Sequence, residues 1–369
     1  MNKMLIANLV KSMELKREDI VLVQLWGENE QLGTLDDFCV EIASWGAAFI
    51  KLQHSRLLYK DIFERTPEDA DCYTEDYFKV FEPVTVVIDL MAYQPAVPHP
   101  DFPITKMNSY KRYMRSLMTA LASKETFIQL RLPTIEMAME SGVAYPKFSR
   151  MLENAYAVDY DDLKDRCETA ISRFKGTKSI EIVTDNQHTL TLSVEGREWY
   201  KDAGNGDFPS GEVYIAPLEA SAKGSLFMKE AFFEGTSYRE LILVFSDGIL
   251  ASTNHDDLND VIEQLPERAN VLCEFGIGLN LNIDELTGFP VFDEKAYGTC
   301  HIGLGMNSLF GGQNHCAYHT DIVFKGDVSI DGKRVVSNGE LVDEWIEKHN
   351  EQERLKLMPS SSHYSGISM

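Results

Sequence analysis

The segment EPVTVVIDLM, residues 82–91, is an almost continuous apolar run in the first third of the chain. Uninterrupted runs of this kind are typical of strands that are covered on both faces, as in a parallel sheet. ETFIQLRLPT at 125–134 has a similar composition, and two β-rich runs precede both, DIVLVQLW at 19–26 and AAFIKLQ at 47–53. LDDFCVEIASWGA at 35–47 has helical apolar spacing. This alternation predicts a parallel sheet with helices on both sides.

The pattern changes to short alternating strands from about residue 178. SIEIVTDNQHTLTLSVEG at 179–196 alternates apolar and polar residues around a TDNQ turn, which indicates a β-hairpin. GSLFMKEAFFEG at 224–235, ELILVFSDGILAST at 240–253 and TDIVFKGDVSIDG at 320–332 follow the same alternation. Alternation with one apolar face is what antiparallel sheets require.

The chain has 369 residues, which is too long for one ordinary core, so two domains are expected. A helical pattern at 148–174, FSRMLENAYAVDYDDLKDRCETAISRF, lies between the parallel-sheet pattern and the alternating-strand pattern and predicts one long helix. The predicted fold class is α/β. Residues 1–176 would form an N-terminal parallel-sheet α/β domain, and residues 177–369 a mixed, largely antiparallel α+β domain that binds metal and carries the catalytic site.

The chain carries 35 basic and 58 acidic residues, a net charge of −23 at pH 7. Such a surface repels phosphate backbones and anionic lipids, so neither nucleic acid nor a membrane is an expected partner. No apolar run reaches the ~18 residues that a membrane helix needs. The N-terminal segment predicts an amphipathic helix with Leu5, Leu9 and Met13 on one face rather than a signal peptide. The expected location is the cytoplasm.

The cysteine spacing and the loop after the first predicted strand do not match the common cysteine-based or dinucleotide-binding motifs. The six cysteines stand at 39, 72, 167, 273, 300 and 316 without a CxxC pair, so a zinc ribbon and a thioredoxin-type site are not indicated. In the cytoplasm these thiols should be reduced. The first predicted strand is followed by WGENEQLG instead of GxGxxG, and a dinucleotide site is therefore not supported.

A histidine and an aspartate stand two residues apart in AYHTDIVFKGDVSIDGK, residues 317–333. Residues i and i+2 of an extended strand point to the same face, so His319 and Asp321 should project side by side. A neighbouring imidazole and carboxylate can hold a divalent cation, or they can form a simple hydrogen-bonded pair in a core. The triplet alone leaves both possibilities open.

Three further candidates for metal ligands lie in or beside apolar segments: Glu212 in FPSGEVYIAP, Glu274 in NVLCEFGIGLN and His301 in DEKAYGTCHIGLGMN. A lone carboxylate in such a place is costly unless a partner or a cation neutralises it. Together with His319 and Asp321 they make a set of three carboxylates and two imidazoles, which suits Zn, Co or Mn. The alternative is that the two glutamates are ordinary members of ion pairs.

If the five side chains converge, they can hold two cations ~3.5–4 Å apart, with one carboxylate as a bridge. A water between two cations loses a proton near neutral pH and becomes a nucleophile, while the cations polarise a carbonyl. The chemistry that the set predicts is metal-assisted hydrolysis of an amide or ester.

Four ordered blocks resemble one family: PSGEVYIAP (209–217), CEFGIGLN (273–280), FDEKAYGTCHIGLG (292–305) and HTDIVFKGDVSIDGKRVVSNGEL (319–341). The family is that of the thermophilic-type metallo-aminopeptidases, of the aminopeptidase T and aminopeptidase S kind. The segment GENEQLGTLDDFCVEIASWGA (27–47) resembles the same family more weakly. The resemblance implies a two-domain α/β subunit, a homodimer whose site faces an internal cavity, and release of N-terminal residues from peptides.

Carried over by motif position, the resemblance implies that Glu212, Glu274, His301, His319 and Asp321 ligate two divalent cations. Glu274 is the favoured bridging ligand. Either Glu212 or Glu274 would serve as the catalytic carboxylate that takes the proton of the nucleophilic water.

Two more carboxylates precede His301 in the same block, Asp293 and Glu294. Both are compatible with binding the positively charged N-terminus of a peptide. For Glu294 a salt bridge with Lys295 is the favoured alternative.

The chain departs from the family at one position. A tyrosine that follows the histidine block and assists the transition state in the family is Ser308 here. Tyr318 is the nearest tyrosine and a possible substitute. The loss of such a group would weaken oxyanion stabilisation, so the metal site is better supported than peptidase activity.

Two alternatives to the aminopeptidase keep the fold. A related dihydroxypyridine ring-cleaving dioxygenase has a similar H-x-D block and uses one ferrous ion, and His301, His319 and Asp321 could supply its two-histidine, one-carboxylate triad. In that case Glu212 and Glu274 would be spare, so their presence favours the peptidase. The other alternative is a catalytically silent metal-binding homologue.

Overall fold

The computed structural model describes residues 1–67, 73–185, 187–233 and 235–342. The helices within them are α1 (Lys3–Ser12), α2 (Leu32–Ser44), α3 (Arg56–Arg65), α4 (Glu75–Phe78), α5 (Met107–Leu121), α6 (Ile135–Glu140), α7 (Tyr145–Tyr156), α8 (Tyr160–Phe174), α9 (Asp256–Glu263) and α10 (Pro290–Asp293). The strands are β1 (Ile20–Trp26), β2 (Ala48–Gln53), β3 (Val86–Met91), β4 (Thr126–Arg131), β5 (Ser179–Thr184), β6 (His188–Ser193), β7 (Trp199–Asp202), β8 (Asp207–Phe208), β9 (Glu212–Ile215), β10 (Lys223–Phe233), β11 (Thr236–Ser246), β12 (Ile249–Thr253), β13 (Leu272–Gly278), β14 (Cys300–Gly305), β15 (His319–Phe324), β16 (Asp327–Ile330), β17 (Lys333–Ser337) and β18 (Glu340–Leu341). Short 3-10 turns lie at Asn29–Gln31, Lys79–Phe81, Ile104–Lys106 and Ser308–Phe310.

The first sheet is parallel, with the strand order β2-β1-β3-β4-β8. Every residue of β3 is buried, because the strand lies in the middle of the sheet and is covered on both faces. The four strands predicted from the apolar runs are all present, and so is α2. Strand β8 comes from beyond residue 176 and pairs with β4, while the predicted domain boundary itself stays a prediction.

The other two sheets are antiparallel. Eight strands form one in the order β12-β11-β10-β6-β5-β16-β17-β18, and five form the other in the order β15-β14-β13-β9-β7. The hairpin predicted around the TDNQ turn is present as β5 and β6. A parallel α/β sheet followed by antiparallel sheets confirms the predicted fold class.

The single long helix predicted over 148–174 is wrong, because the chain forms two helices there. Helix α7 ends at Tyr156 and α8 begins at Tyr160. The carboxylate of Asp159 accepts hydrogen bonds from the backbone N–H groups of Asp161 and Asp162, each at 3.1 Å. An aspartate in this position satisfies N–H groups that a continuous helix would bond to earlier carbonyls, so it starts a new helix. Apolar periodicity continues across the break and hides it.

The amphipathic α1 is present as predicted, and Leu5, Leu9 and Met13 are all buried. No helix among the described residues combines the length and hydrophobicity that a bilayer crossing requires. The described cysteines are free thiols, of which four are buried and Cys316 is half-buried. Cys72 lies outside the described residues.

A buried chain of polar groups links the first three strands of the parallel sheet. The Gln24 side-chain amide donates to Asp89 Oδ1 at 2.7 Å, and its oxygen lies 2.8 Å from His54 Nε2. His54 Nδ1 lies 2.7 Å from the hydroxyl of Tyr59. Burial lowers the pKa of His54 to about 3, so the ring is neutral and Nε2–H donates to Gln24. Burial raises the pKa of Asp89 to about 7, against the hydrogen bonds that favour its charged form.

Asp89 makes the stability of the protein depend on pH. Since its pKa is about 7 in the native state and ordinarily 3.8, the native state binds more protons between these values, and the free energy of unfolding falls as pH rises through them. Three pH units correspond to about 4 kcal/mol. We predict that Asp89→Asn flattens this part of the pH dependence, measured by urea unfolding from pH 4 to pH 8. The exposed Asp101→Asn is the control. Parallel curves for wild type and Asp89→Asn would contradict the assignment.

Candidate metal centre

The five-stranded antiparallel sheet brings all five predicted ligands onto neighbouring strands. Glu212 is the first residue of β9, Glu274 lies in β13, His301 lies in β14, and His319 and Asp321 lie in β15. In the sheet these strands follow one another in the order β15-β14-β13-β9. Segments that span 110 positions of sequence are therefore adjacent in space.

The five side chains share one face of this sheet because strand residues alternate between faces. The residues between them, such as Val213, Phe275, Ile302 and Ile322, point to the opposite face and are fully buried in the core. One face of the sheet therefore packs and fixes the strands, while the other presents charged groups.

Glycines on the ligand face make room for these side chains. Gly276 stands opposite His301 in the strand register, and a Cβ on Gly276 would lie 2.1 Å from the imidazole Cε1. Gly303 lies between Glu274 and Asp321 in the same row, and a Cβ there would lie 2.7 Å from the Glu274 Cβ. Any other residue at these two positions would displace a ligand. The sequence therefore alternates apolar residues with glycine in CEFGIG and HIGLG.

Glu274 lies between the two imidazoles. Its Oε1 is 3.3 Å from His301 Nε2, and its Oε2 is 3.5 Å from His319 Nε2. His301 Nε2 is also 3.4 Å from Glu212 Oε2, and His319 Nε2 is 3.3 Å from Asp321 Oδ2. The donor atoms thus form two groups, each within 4.8 Å: Glu212, Glu274 and His301, and Glu274, His319 and Asp321. Glu274 belongs to both.

The orientation of His319 is fixed from behind. Its Nδ1 lies 3.0 Å from the backbone carbonyl of Met306, so Nδ1–H donates there and Nε2 faces the carboxylates. A ligand imidazole is commonly held in this way by a carbonyl or carboxylate on its other nitrogen.

The donor set fits a divalent cation. Glu212 Oε2 and Asp321 Oδ1 are buried and have no hydrogen-bond partner among the described residues. A buried carboxylate oxygen without a partner is costly, and a cation would remove that cost. Carboxylate and imidazole donors without a thiolate suit Zn, Co or Mn.

Without a cation, the carboxylates hold protons on the imidazoles. Burial opposes the charged form of His301, but its hydrogen bond with Glu274 and the charges around it raise the pKa of His301 to about 9. Burial likewise opposes the charged His319, and the charge and hydrogen bond of Asp321 outweigh it and raise the pKa of His319 well above its ordinary value. Burial raises the pKa of Glu212 to about 8, although Lys295 opposes this.

Lys295 and Asp202 complete the charged face. The Lys295 ammonium contacts Glu212 Oε1 and lies 2.9 Å from Glu294 Oε1 and 3.9 Å from Asp202 Oδ2. Asp202 stands opposite Glu212 in the register of β7 and β9. The sequence identified Lys295 only as a partner of Glu294, and it did not indicate Asp202. The local signal for Asp202 is that it stands two residues after Tyr200 in the short strand WYKD, which places both side chains on the same face of the strand.

The two acidic candidates before His301 are placed differently. Asp293 accepts hydrogen bonds from the backbone N–H groups of Thr287 and Gly288, both at 2.8 Å, and it is not among the residues that line the cleft described below. Its carboxylate therefore holds its own loop. Glu294 lines the cleft and also forms the ion pair with Lys295 that was its alternative assignment.

A cleft of about 570 Å³ opens over the ligands. Besides the five candidate ligands, Asp202, Glu294 and Lys295, it is lined by Phe127, Gln129, Tyr200, Lys201, Asn205, Gly206, Asp207, Tyr214, Met306, Leu309 and Phe310. The rings of Tyr200 and Tyr214 stack at 5.9 Å, and Phe310 packs edge-on against Tyr214 at 5.4 Å and against His319 at 6.1 Å. Tyr318, the predicted substitute for the family tyrosine, does not line the cleft; Tyr200 and Tyr214 do.

Two overlapping carboxylate–imidazole groups at the floor of a cleft form an arrangement suited to a metal-dependent enzyme. The sequence matches the family described as thermophilic metalloprotease (M29) over residues 106–343. The chain therefore belongs to the M29 family of metalloproteases. This membership confirms the predicted family and, with it, the prediction of a metal-dependent aminopeptidase, a hydrolase that uses divalent metal.

Two solved structures have a similar fold. Wild-type AmpT from Thermus thermophilus aligns with a TM-score of 0.68 and 17% sequence identity, over 92% of this chain and 100% of that one. The 2,5-dihydroxypyridine dioxygenase from Pseudomonas putida KT2440 aligns with a TM-score of 0.61 and 13% identity, over 92% of this chain and 96% of that one. At these identities the likeness concerns the fold. No curated protein sequence matches the chain.

Cation binding should release protons, because ligation requires neutral imidazoles while the raised pKa values keep His301 and His319 protonated in the metal-free protein. We predict that Zn²⁺ binding at pH 7.5 releases at least one proton per chain and that the affinity falls as pH decreases from about 9. Calorimetric titrations in two buffers of different ionisation enthalpy give the number of protons. His319→Asn should release fewer protons than wild type, and His188→Asn, remote from the site, should release the same number. Binding without proton release would contradict the pKa assignment.

Proposed function

We propose that this enzyme releases N-terminal residues from peptides by means of two divalent cations. Glu212, Glu274, His301, His319 and Asp321 would hold them, with Glu274 shared between the two positions. The observation that carries the proposal is the contact of each Glu274 oxygen with a different imidazole, at 3.3 and 3.5 Å. A carboxylate in that place is suited to bridge two cations. Zn, Co and Mn all fit the donor set.

When bound, the cations would polarise the scissile carbonyl and make a water nucleophilic near neutral pH. Glu212 is suited to take the proton of that water. Its Oε2 has no hydrogen-bond partner among the described residues, and its Oε1 is held by Lys295. In this assignment Glu274 is shared between the two cations, while Glu212 holds one of them and also accepts the proton.

The remaining lining of the cleft suits the N-terminal end of a peptide. The carboxylates of Asp202 and Glu294 can attract the free ammonium, and the net charge of −23 favours the approach of a cation. The rings of Tyr200, Tyr214 and Phe310 form an apolar wall on which a side chain can pack. The tyrosine that the family places at position 308 is absent, and these two phenols are the tyrosines of the cleft.

The ferrous dioxygenase is the weaker alternative for this chain. A two-histidine, one-carboxylate triad of His301, His319 and Asp321 would leave Glu212 and Glu274 without a role. Glu274 nevertheless contacts both imidazoles, and Glu212 contacts one of them. Metal analysis separates the two cases, since two Zn, Co or Mn ions per chain support hydrolysis and one iron supports oxygen chemistry.

The proposal includes a homodimer that works in the cytoplasm. The family resemblance supports the dimer, and the free thiols of the described cysteines are compatible with the reducing cytoplasm. Light scattering on the purified protein measures the mass against the 41.8 kDa of one chain.

The test of the proposed function is Glu274→Gln. Because Glu274 contacts both imidazoles, we predict that this change removes at least one cation per chain and lowers kcat/KM on amino-acid 4-nitroanilides by roughly 10³-fold or more. Glu285→Gln, which alters a carboxylate paired with Lys147 away from the site, is the matched control and should keep both activity and metal. Full activity of Glu274→Gln, or a wild type that cleaves no member of the panel with any metal, would contradict the proposal.

A further inference from the structure

One difference between the two cation positions is the ammonium of Lys295. This side chain is almost completely buried, with 3% of its surface exposed. It forms an ion pair with Glu212, a member of the first group of donors, and its remaining partners are Glu294 at 2.9 Å and Asp202 at 3.9 Å. A fixed positive charge therefore stands next to one of the two positions.

Because of Lys295, the two oxygens of the Glu212 carboxylate have different surroundings. One oxygen, Oε1, contacts the ammonium, and the other, Oε2, faces His301 at 3.4 Å and has no hydrogen bond among the described residues. Glu212 is thus held with one oxygen toward the cation position, while part of its negative charge is already neutralised.

The second group has no ion pair with Lys295, whose charge acts on Asp321 only from a longer distance. The ion-pair partner of Asp321 in the described part of the chain is His319, at 3.3 Å, and its Oδ1 has no hydrogen bond. His319 is turned toward Glu274 and Asp321 by the Met306 carbonyl. Here two carboxylates face a cation without a lysine or arginine within ion-pair distance among the described residues.

We propose that Lys295 makes the two positions unequal, so that the position of Glu274, His319 and Asp321 fills first and the position of Glu212, Glu274 and His301 binds its cation more weakly. The proposal rests on the two-cation site proposed above. The physical reason is that the ammonium neutralises a ligand and repels the incoming dication, and salt screens buried charges poorly. When no more than one cation is supplied per chain, the cation should therefore occupy the position of Glu274, His319 and Asp321.

The test is a titration of the metal-free protein with Co²⁺, followed by calorimetry and by visible absorption. Wild type should bind in two steps whose dissociation constants differ by at least about tenfold. Lys295→Met should tighten the second step by about tenfold or more and bring the two steps together. Lys201→Met is the matched control, because Lys201 lines the same cleft but pairs with the exposed Glu168. It should leave the spacing of the steps unchanged.

Substitution of two ligands assigns the steps to positions. Asp321→Asn should remove the tight step, and Glu212→Gln should remove the weak one. If Lys295→Met does not fold, Glu294→Gln serves instead. It removes a counter-charge of Lys295, so the weak step should become weaker by more than the tight step and the spacing should widen.

The outcomes separate the two proposals. Two equal steps in wild type, unchanged spacing in Lys295→Met, or loss of the tight step in Glu212→Gln would each overturn the role of Lys295 while leaving a two-cation enzyme in place. If wild type binds one Co²⁺ only, a second step that appears in Lys295→Met supports the role, and one cation in both proteins overturns it. No binding of Co²⁺ at all would contradict the metal centre itself.

Discussion

The carboxylate of Glu274 is buried between two imidazoles, one on the neighbouring strand and one on the strand beyond it. Each of its oxygens faces a different ring, His301 on β14 and His319 on β15. This buried negative charge needs partners on both sides, and the imidazoles supply them as N–H donors or, once a cation binds, as its other ligands. The raised pKa values of the two histidines are the response of the metal-free protein to this requirement.

The rest of the sheet is arranged around this contact. Apolar residues on the opposite face anchor the four ligand strands in the core, and Gly276 and Gly303 leave the space that the ligand side chains occupy. The parallel sheet closes the other side of the cleft with residues of β4 and β8. A rigid sheet face is suited to hold charged groups at short distances, because the backbone pairing fixes each strand relative to the next.

The sequence indicates the candidate ligands but not their neighbours. His319 and Asp321 can be recognised because a spacing of two puts both on one strand face, and Glu212, Glu274 and His301 stand out as charged residues in apolar segments. Asp202 joins the site only through the pairing of β7 with β9, which local pattern does not reveal. Lys295 enters from the turn after α10, and its burial among three carboxylates depends on tertiary packing. The break between α7 and α8 does not show in the sequence pattern, because apolar spacing continues through the Asp159 cap.

The central claim is that cations occupy the two groups of donors joined by Glu274. The most direct measurement is anomalous diffraction from crystals of the full chain grown with Zn²⁺, recorded on both sides of the zinc absorption edge. We expect anomalous density within about 2.0–2.2 Å of the donor atoms of His319 and Asp321, with a second and less occupied peak beside Glu212 and His301. Zinc located elsewhere, or Glu274 in contact with no metal, would contradict it.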